Sequence, residues 1–371
     1  GSPAKIEPLA SRFKELGYCT GGFAVNGFVS REYGYDTGFD TFYSVGDIVS
    51  KTDRWVKDLG KWVNETLDNE FVRDRILFPV YNHLWSSDGD DERQFMPDHS
   101  DVDTVDHALR FITQHRDESY LLWVHLMDAH TPYGHRPEHL RELRGDATID
   151  HTIHPGRESR ITVGDEPPAN VVDTYDAGIR SADEQIGRLL AAIPDDATVV
   201  ITGDHGEEFG RYNGFHHASL YSSMTQVPIL VRDDDIGTGR SEMPVQHLDI
   251  PPTLLQAASR SLPEMWTGEP LQLADRDVDT PLFLSLGEDQ VAVRTGDWKY
   301  LQVDGSGELY HTAHGESDGE PVTNPDRERA MANLVAEYLE RSTRRGQGRA
   351  ALEDDDLDQT VEANLEDLGY L

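Results

Sequence analysis

"VDTYDAGIRSADEQIGRLLAAIPDDATVVITGDHGEEFG", residues 172–210, carries two periodicities in succession. Val172, Tyr175, Ile179, Ala182, Ile186, Leu189 and Ile193 recur at alternating three- and four-residue steps, which lines one face of an amphipathic helix. "ATVVITG" (197–203) is then a short apolar run closed by a turn residue, the mark of a strand. A second such run, "LLWVHLM" (121–127), precedes the helix and is interrupted only by His125. Strand, helix, strand in that order predicts a right-handed crossover in a parallel sheet, and with it an α/β fold.

Outward from this unit the alternation continues. "PLASRFKELGYCTGGFAV" reads as a helix ending near Gly17 followed by a strand through Phe23 to Val25, and "VPILVR" (227–232) as another strand. Segment 134–170 is polar and rich in Gly, Pro and His, a long excursion over one edge. Beyond residue 280 the runs shorten: "PLFLSL", "VAVRTGD" and "WKYLQV" predict a small antiparallel sheet. A helix follows near 326–341 with Leu334, Tyr338 and Leu339 on its apolar side, then an acidic tail. The expected domains are a core over 1–280 and a small C-terminal α+β subdomain over 281–371.

Thirty-three Lys and Arg face 69 Asp and Glu, a net charge of −36 spread along the whole chain. Such an excess favours solubility at the cost of self-repulsion and points to a halophilic surface, adapted to high salt. No basic stripe offers counterion release, which excludes nucleic acid as a partner. No run approaches the roughly 18 apolar residues of a membrane span, and the N-terminus lacks the apolar core of a signal peptide. A cytoplasmic protein is expected. The single cysteine, Cys19, excludes an internal disulfide and a cysteine-based zinc site, and reads as buried packing.

Ligands of an open parallel sheet collect beyond the carboxyl ends of its strands. Two runs deliver polar groups there: "HLMDAHTPY", with Asp128 and His130, and "TGDHGEE", with Asp204 and His205. A carboxylate beside an imidazole suits a borderline divalent metal, and oxygen-rich company favours Ca²⁺ or Mg²⁺. Read from the residues alone, the pair is more simply a turn whose aspartate caps the next segment. His130, and His216 with His217 in "HHASLY", are either site groups or packed and solvated histidines. Asp249 in "HLDIPPTLL" reads as a cap, and Glu207 and Glu208 as bystanders on an acidic rim.

Together these segments resemble the sulfatase family of the alkaline phosphatase superfamily, with a haloarchaeal-like acidic surface. "GYDTGFDTFY", "HLMDAHTPY", "YDAGIRSADEQIGRLL", "ITGDHGEEFG", "HHASLYSSMTQVPILVR", "HLDIPPTLL" and the closing "LGYL" match the family's motifs in order. The resemblance implies an α/β/α sandwich with a mostly parallel central sheet and a small C-terminal antiparallel sheet plus helix. It implies metal-assisted hydrolysis of a small-molecule or carbohydrate sulfate ester. Asp204 and His205 would ligate a divalent metal, usually Ca²⁺, with Mg²⁺ or Mn²⁺ as alternatives. His130 would hydrogen-bond a sulfate oxygen, and His216, less readily His217, would sit near the leaving oxygen. Lys299 in "GDWKYL" stands where the family often has a lysine on the small sheet. Family members also carry a strand with paired aspartates and a Cys- or Ser-x-Pro-x-Arg nucleophile segment. Neither occurs in these 371 residues, so little turnover is expected of them alone. Phosphodiester or phosphonate hydrolysis, phosphoryl transfer, and non-catalytic binding of an anion or partner are the alternatives.

Overall fold

The computed structural model describes residues 8–26, 29–44, 101–130, 133, 136–147, 169–209, 219–263, 266–286, 290–312 and 320–346. They divide into two compact units.

One unit spans Glu7–His130 and Asp176–Ile193. Helix α1 (Leu9–Glu15) ends before Gly17, whose φ of 85° takes the left-handed conformation that glycine adopts without strain. Strand β1 (Cys19–Ala24) is the centre of a parallel sheet, with β2 (Thr41–Tyr43) on one side and β3 (Tyr120–His125) on the other. The β1–β3 register runs from Cys19↔Tyr120 to Ala24↔His125. Helix α2 (Asp101–Gln114) covers one face, where Phe23, Ala108 and Phe111 form a buried cluster with Leu122, Val124 and Leu189. On the other face Ala24, Val29 and Phe42 pack with Phe39 and Trp123.

The other unit spans Gly1–Ile6, Thr131–Tyr175 and Pro194–Leu371. Its long excursion contains a helix the sequence reading did not foresee, α3 (Pro137–Arg144), anchored by the buried Leu140 and by Arg144 Nη1 donating to Asp173 at 2.8 Å. Helix α4 (Ala169–Leu190) gives its first part to this unit and its second part to the other. Strands β4 (Val199–Thr202) and β5 (Ile229–Arg232) form an antiparallel ladder of their own. This departs from the expected crossover sheet. The expected crossover helix, α4, does lie between β3 and β4 in the sequence, yet among the described residues β4 pairs with β5 alone, and the described part of the β4–β5 connection holds the four-residue α5 (Ser222–Thr225). Val199, Val200 and Ile201 are accordingly half-buried rather than core. A one-turn 3₁₀ segment (His247–Asp249) then leads into α6 (Ile250–Ala257).

Three strands of the small antiparallel sheet are as expected, β6 (Leu282–Leu286), β7 (Gln290–Thr295) and β8 (Trp298–Val303), and a fourth that the sequence reading did not foresee, β9 (Ser306–His311), follows them in that order. Asp304 and Gly305, both at positive φ, make the tight turn between β8 and β9, the backbone that suits the twist of a hairpin. Helix α7 (Pro325–Gly346) lays Met331 and Val335 on Val291, Val293, Tyr300 and Leu309, with Leu334, Tyr338 and Leu339 at the margin. The family-like α/β fold, with parallel sheet and small C-terminal sheet plus helix, is thus present.

The face buried by α4 is not the one its apolar period predicts. Ile179 is 43% exposed, and Val172, Tyr175, Ala182, Ile186 and Leu189 are half-buried. The buried positions are the adjacent stripe Val171, Thr174, Ala177, Gly178, Ser181 and Gln185. The cause is a backbone contact: the loop after β3 lies directly on Gly178, where a Cβ would meet the Asp128 carbonyl oxygen at 2.1 Å. Only small or polar side chains fit beside so close an approach.

Candidate active site

The loop after β3 is held by carboxylates rather than by apolar packing. Asp101, in the first turn of α2 and 1% exposed, accepts Met127 N–H at 2.7 Å on Oδ1 and Asp128 N–H at 2.8 Å on Oδ2. Asp128 is itself buried and accepts a 2.5 Å hydrogen bond from Ser181 Oγ of α4. The turn closes where His130 N–H donates to the Met127 carbonyl at 2.9 Å. His130 therefore starts from a backbone fixed at three points. Asp128 is a tie, and Asp101 and Ser181 are supports the sequence reading did not find.

The loop after β4 is built differently. Thr202 Oγ1 donates to the Pro228 carbonyl at 2.9 Å and lies 3.2 Å from His247 Nε2, so an exposed histidine from the "HLDIPP" segment stands at this strand end. Asp204 is open to solvent, with its side chain 65% exposed, and its Oδ1 accepts His205 N–H at 2.9 Å. His205 Nδ1 lies 2.8 Å from the Gly206 carbonyl, which can only accept. Nδ1 therefore carries the proton and Nε2 the lone pair, the tautomer of a metal-ligating imidazole. Nε2 is 3.9 Å from Asp204 Oδ1.

Gly206 is required for space rather than for a special φ. Its N–H donates to the Met224 carbonyl at 2.8 Å, and a Cβ would fall 1.9 Å from the Ser223 carbonyl oxygen. That contact turns the chain inward, which corrects the reading of Glu207 and Glu208 as an acidic rim: they are 8% and 2% exposed. Tyr133, from the "HTPY" motif, donates to Glu207 Oε2 at 2.5 Å, and Ser219 Oγ donates to Glu208 Oε1. Burial pushes the Glu207 carboxyl up to about 7, against the opposing pull of the Tyr133 hydroxyl. Phe209 follows at a φ of 51°, strained for an aromatic residue, with its ring edge-on to Tyr175 at 5.0 Å. A buried Glu pair and a strained aromatic thus brace the segment bearing Asp204 and His205.

A carboxylate oxygen and an imidazole nitrogen at this spacing, on a side chain largely open to solvent, fit two corners of a divalent coordination sphere. Among the described residues no third His, Cys, Asp or Glu joins them within 4.8 Å. His130 lies in the first unit and the Asp204–His205 pair in the second, and His216 and His217 lie outside the described residues. Lys299 is 1% exposed on β8 and donates to the Leu220 carbonyl, a buried tie to the segment that follows the histidine pair. Asp249, fully buried, is the expected cap: it accepts Gln246 N–H at 2.9 Å and grips Arg276 through two hydrogen bonds of 2.6 and 2.7 Å.

A family model described as sulfatase matches residues 1–260, well over half of the chain. The chain belongs to the sulfatase family. Among relatives of this sulfatase-family chain, the choline-sulfatase of Rhizobium meliloti (strain 1021) is 28% identical over 142 residues, 34% of this chain and 28% of the relative. The chain matches about a third of the length of the curated relatives it resembles. Two solved structures share the fold. The phosphonate monoester hydrolase SpPMH from Silicibacter pomeroyi has a TM-score of 0.54 at 16% identity, over 92% of this chain and 80% of its own. BT4656, solved in complex with its substrate D-glucosamine-2-N,6-O-disulfate, has a TM-score of 0.57 at 14% identity, over 95% and 84%. At these identities the structural likeness speaks for the fold alone.

Proposed function

We propose that this sulfatase-family chain carries one side of a metal-assisted sulfate-ester hydrolase site, acting on a small-molecule or carbohydrate sulfate. The observation that carries this is the pair at the end of β4: Asp204 Oδ1 and His205 Nε2, 3.9 Å apart, with the imidazole tautomer set by the Gly206 carbonyl. In the proposed site both ligate a divalent cation, Ca²⁺ by family resemblance and Mn²⁺ or Mg²⁺ as alternatives. Such an ion, when bound, acts as a Lewis acid on the ester oxygens. His130 hydrogen-bonds a sulfate oxygen from its three-point turn. His216, with His217 as its neighbour, protonates the leaving alkoxide. The covalent nucleophile of the family would come from a Cys- or Ser-x-Pro-x-Arg segment, which these 371 residues do not contain. The chain alone therefore turns over little.

Two companion readings belong to the same proposal. The acidic surface is a high-salt adaptation, supported by the net charge of −36. Residues 281–371 form a subdomain beside a core over 1–280, supported by the separate apolar cluster under α7. Among the described residues no helix is long and apolar enough to cross a membrane.

Thermal shift in concentrated KCl tests the site. Ca²⁺ or Mn²⁺ raises the melting temperature, inorganic sulfate raises it further, Asp204→Asn abolishes both increments and His130→Ala only the second. No metal response, or one that survives Asp204→Asn, overturns the site assignment. Clear metal-dependent cleavage of an aryl sulfate by the chain overturns its predicted inactivity. A nitrogen-bearing donor set also suits a phosphoryl centre, and cleavage of an aryl phosphate or phosphonate instead would give that reading the site.

A further inference from the structure

A second group of ligand side chains sits at the opposite edge of the parallel sheet, where β1 and β3 begin. Cys19 opens β1, and its N–H donates to the Ser119 carbonyl at 3.0 Å, which fixes the thiol against the turn between α2 and β3. In that turn Glu118 N–H donates to the His115 carbonyl at 2.9 Å, so both side chains leave the same loop. His115 is held by its ring against Phe111, with centroids 4.5 Å apart. Cys19 Sγ lies 3.4 Å from Glu118 Oε2, and His115 Nδ1 lies 2.9 Å from Glu118 Oε1. All three ligand atoms fall within 4.8 Å of one another.

We propose that Cys19, His115 and Glu118 form a binding site for a thiophilic divalent cation of the Zn²⁺ class, with water in the fourth position. Bond lengths of about 2.0–2.3 Å place tetrahedral ligand atoms roughly 3.3–3.7 Å apart. The separations of 3.4 and 2.9 Å run to different oxygens of Glu118, and a small rotation of this half-exposed side chain would present one oxygen to both partners. Thiolate, imidazole and carboxylate together select a borderline metal over Ca²⁺ or Mg²⁺. The local field favours a cation, because the carboxylates of Glu118 and Asp40 both act on the thiol, and Lys14 is occupied by Asp40 at 2.6 Å.

On binding, the S–H bond breaks, an S–metal bond forms and the proton passes to solvent. The exclusion of zinc drawn from the lone cysteine holds for sites built on several thiolates, not for a mixed set assembled by tertiary contact. Such an ion would staple residues 99 positions apart in the chain, on the strand edge away from His130.

The test is a Co²⁺ titration of the reduced full chain in KCl, cobalt standing in for zinc. One equivalent produces thiolate-to-cobalt charge-transfer absorption in the near ultraviolet with tetrahedral bands in the visible, and Zn²⁺ displaces it. Cys19→Ser removes the charge-transfer band, and His115→Ala and Glu118→Gln each weaken Co²⁺ binding by at least about tenfold. Asp204→Asn leaves the spectrum unchanged, which separates this site from the candidate active site. Glu118 lies in an exposed turn, so Glu118→Gln keeps the test open should Cys19→Ser fail to fold. Absence of a thiolate band at saturating Co²⁺, or a band with unaltered affinity in both the His115 and Glu118 variants, overturns the proposal.

Discussion

Gly178→Ala sets helix propensity against tertiary contact, and the two make opposite predictions. In a helix interior alanine is favoured over glycine by about 1 kcal/mol. At position 178, however, the added Cβ would lie 2.1 Å from the Asp128 carbonyl oxygen, 3.0 Å from its carbon and 3.2 Å from Ala129 Cα. These neighbours are backbone, so relief requires the loop and helix to separate by on the order of 1 Å, an overpacking strain of about 1–3 kcal/mol. The same movement stretches the 2.5 Å bond from Ser181 to the buried Asp128 carboxylate, worth about 1.5–3 kcal/mol as a charged hydrogen bond. Less the propensity gain, the net loss is on the order of 2–4 kcal/mol. Gly187 supplies the control on the same helix: it is exposed, and a Cβ there meets nothing within 4 Å. Gly187→Ala is expected to stabilise by about 1 kcal/mol. Urea unfolding of both variants in the same high-salt buffer decides the matter. Equal stabilisation by the two substitutions would refute the reasoning, because the loop carrying His130 would then not rest on α4.

Asp249→Ala removes two of the hydrogen bonds made by the Arg276 guanidinium, whose side chain is 10% exposed, leaving it Glu269 and the Pro244 carbonyl, and removes the acceptor of two backbone N–H groups; it is expected to cost about 3–5 kcal/mol in denaturant unfolding. Asp249→Asn should recover part of that loss. The hydrogen bond from Lys14, opposed by burial, holds the Asp40 carboxyl below its usual range. Its contribution is thus present above the unfolded-state pKa of about 3.9 and lost as pH falls through the lower folded value. The acid limb of a melting-temperature profile should be shallower for Asp40→Asn than for the parent chain, and superimposable limbs would contradict the pairing. Raising KCl from dilute buffer to 1 M shortens the screening length to about 3 Å, and with a net charge of −36 the melting temperature should climb steeply over that range. A flat response would remove the case for a high-salt surface.

The fold was legible wherever local periodicity and long-range contact agree. The C-terminal sheet illustrates this: apolar alternation in "VAVRTGD" and "WKYLQV" and the Asp304–Gly305 turn all require the same hairpins, and α7 buries Met331 and Val335 on them. Legibility ended where a backbone contact overrides the pattern. The apolar face of α4 has a cleaner period than the stripe it buries, yet one approach of the Asp128 carbonyl to Gly178 selects the stripe of small residues. No count of hydrophobic positions contains that information. The candidate site divides along the same line. Asp204 and His205 were readable as adjacent donors after an apolar run. Glu207 and Glu208 were not, because in a chain with 69 acidic residues nothing in composition separates a solvated carboxylate from a buried one.

What separates them is the partner, and each partner is remote in sequence. Tyr133 lies 74 residues from Glu207, and Asp101 lies 27 from the Asp128 amide it accepts. In each case a hydroxyl or an amide donor meets a carboxylate at a distance of 2.5–2.8 Å, so the acid acts as a local fastener rather than as surface charge. Two classes of carboxylate follow for an acidic protein of this kind. One class is solvated, and its repulsion is relieved by salt. The other is bonded to specific donors around the loops that bear the candidate ligands, where screening has little access. High salt should therefore stabilise the chain as a whole while leaving the cost of Ser181→Ala and Tyr133→Phe unchanged. Unfolding of each variant at low and high KCl measures this directly. A cost that shrinks with salt would place these bonds among the screened surface pairs and remove their claim to brace the loop each of them supports.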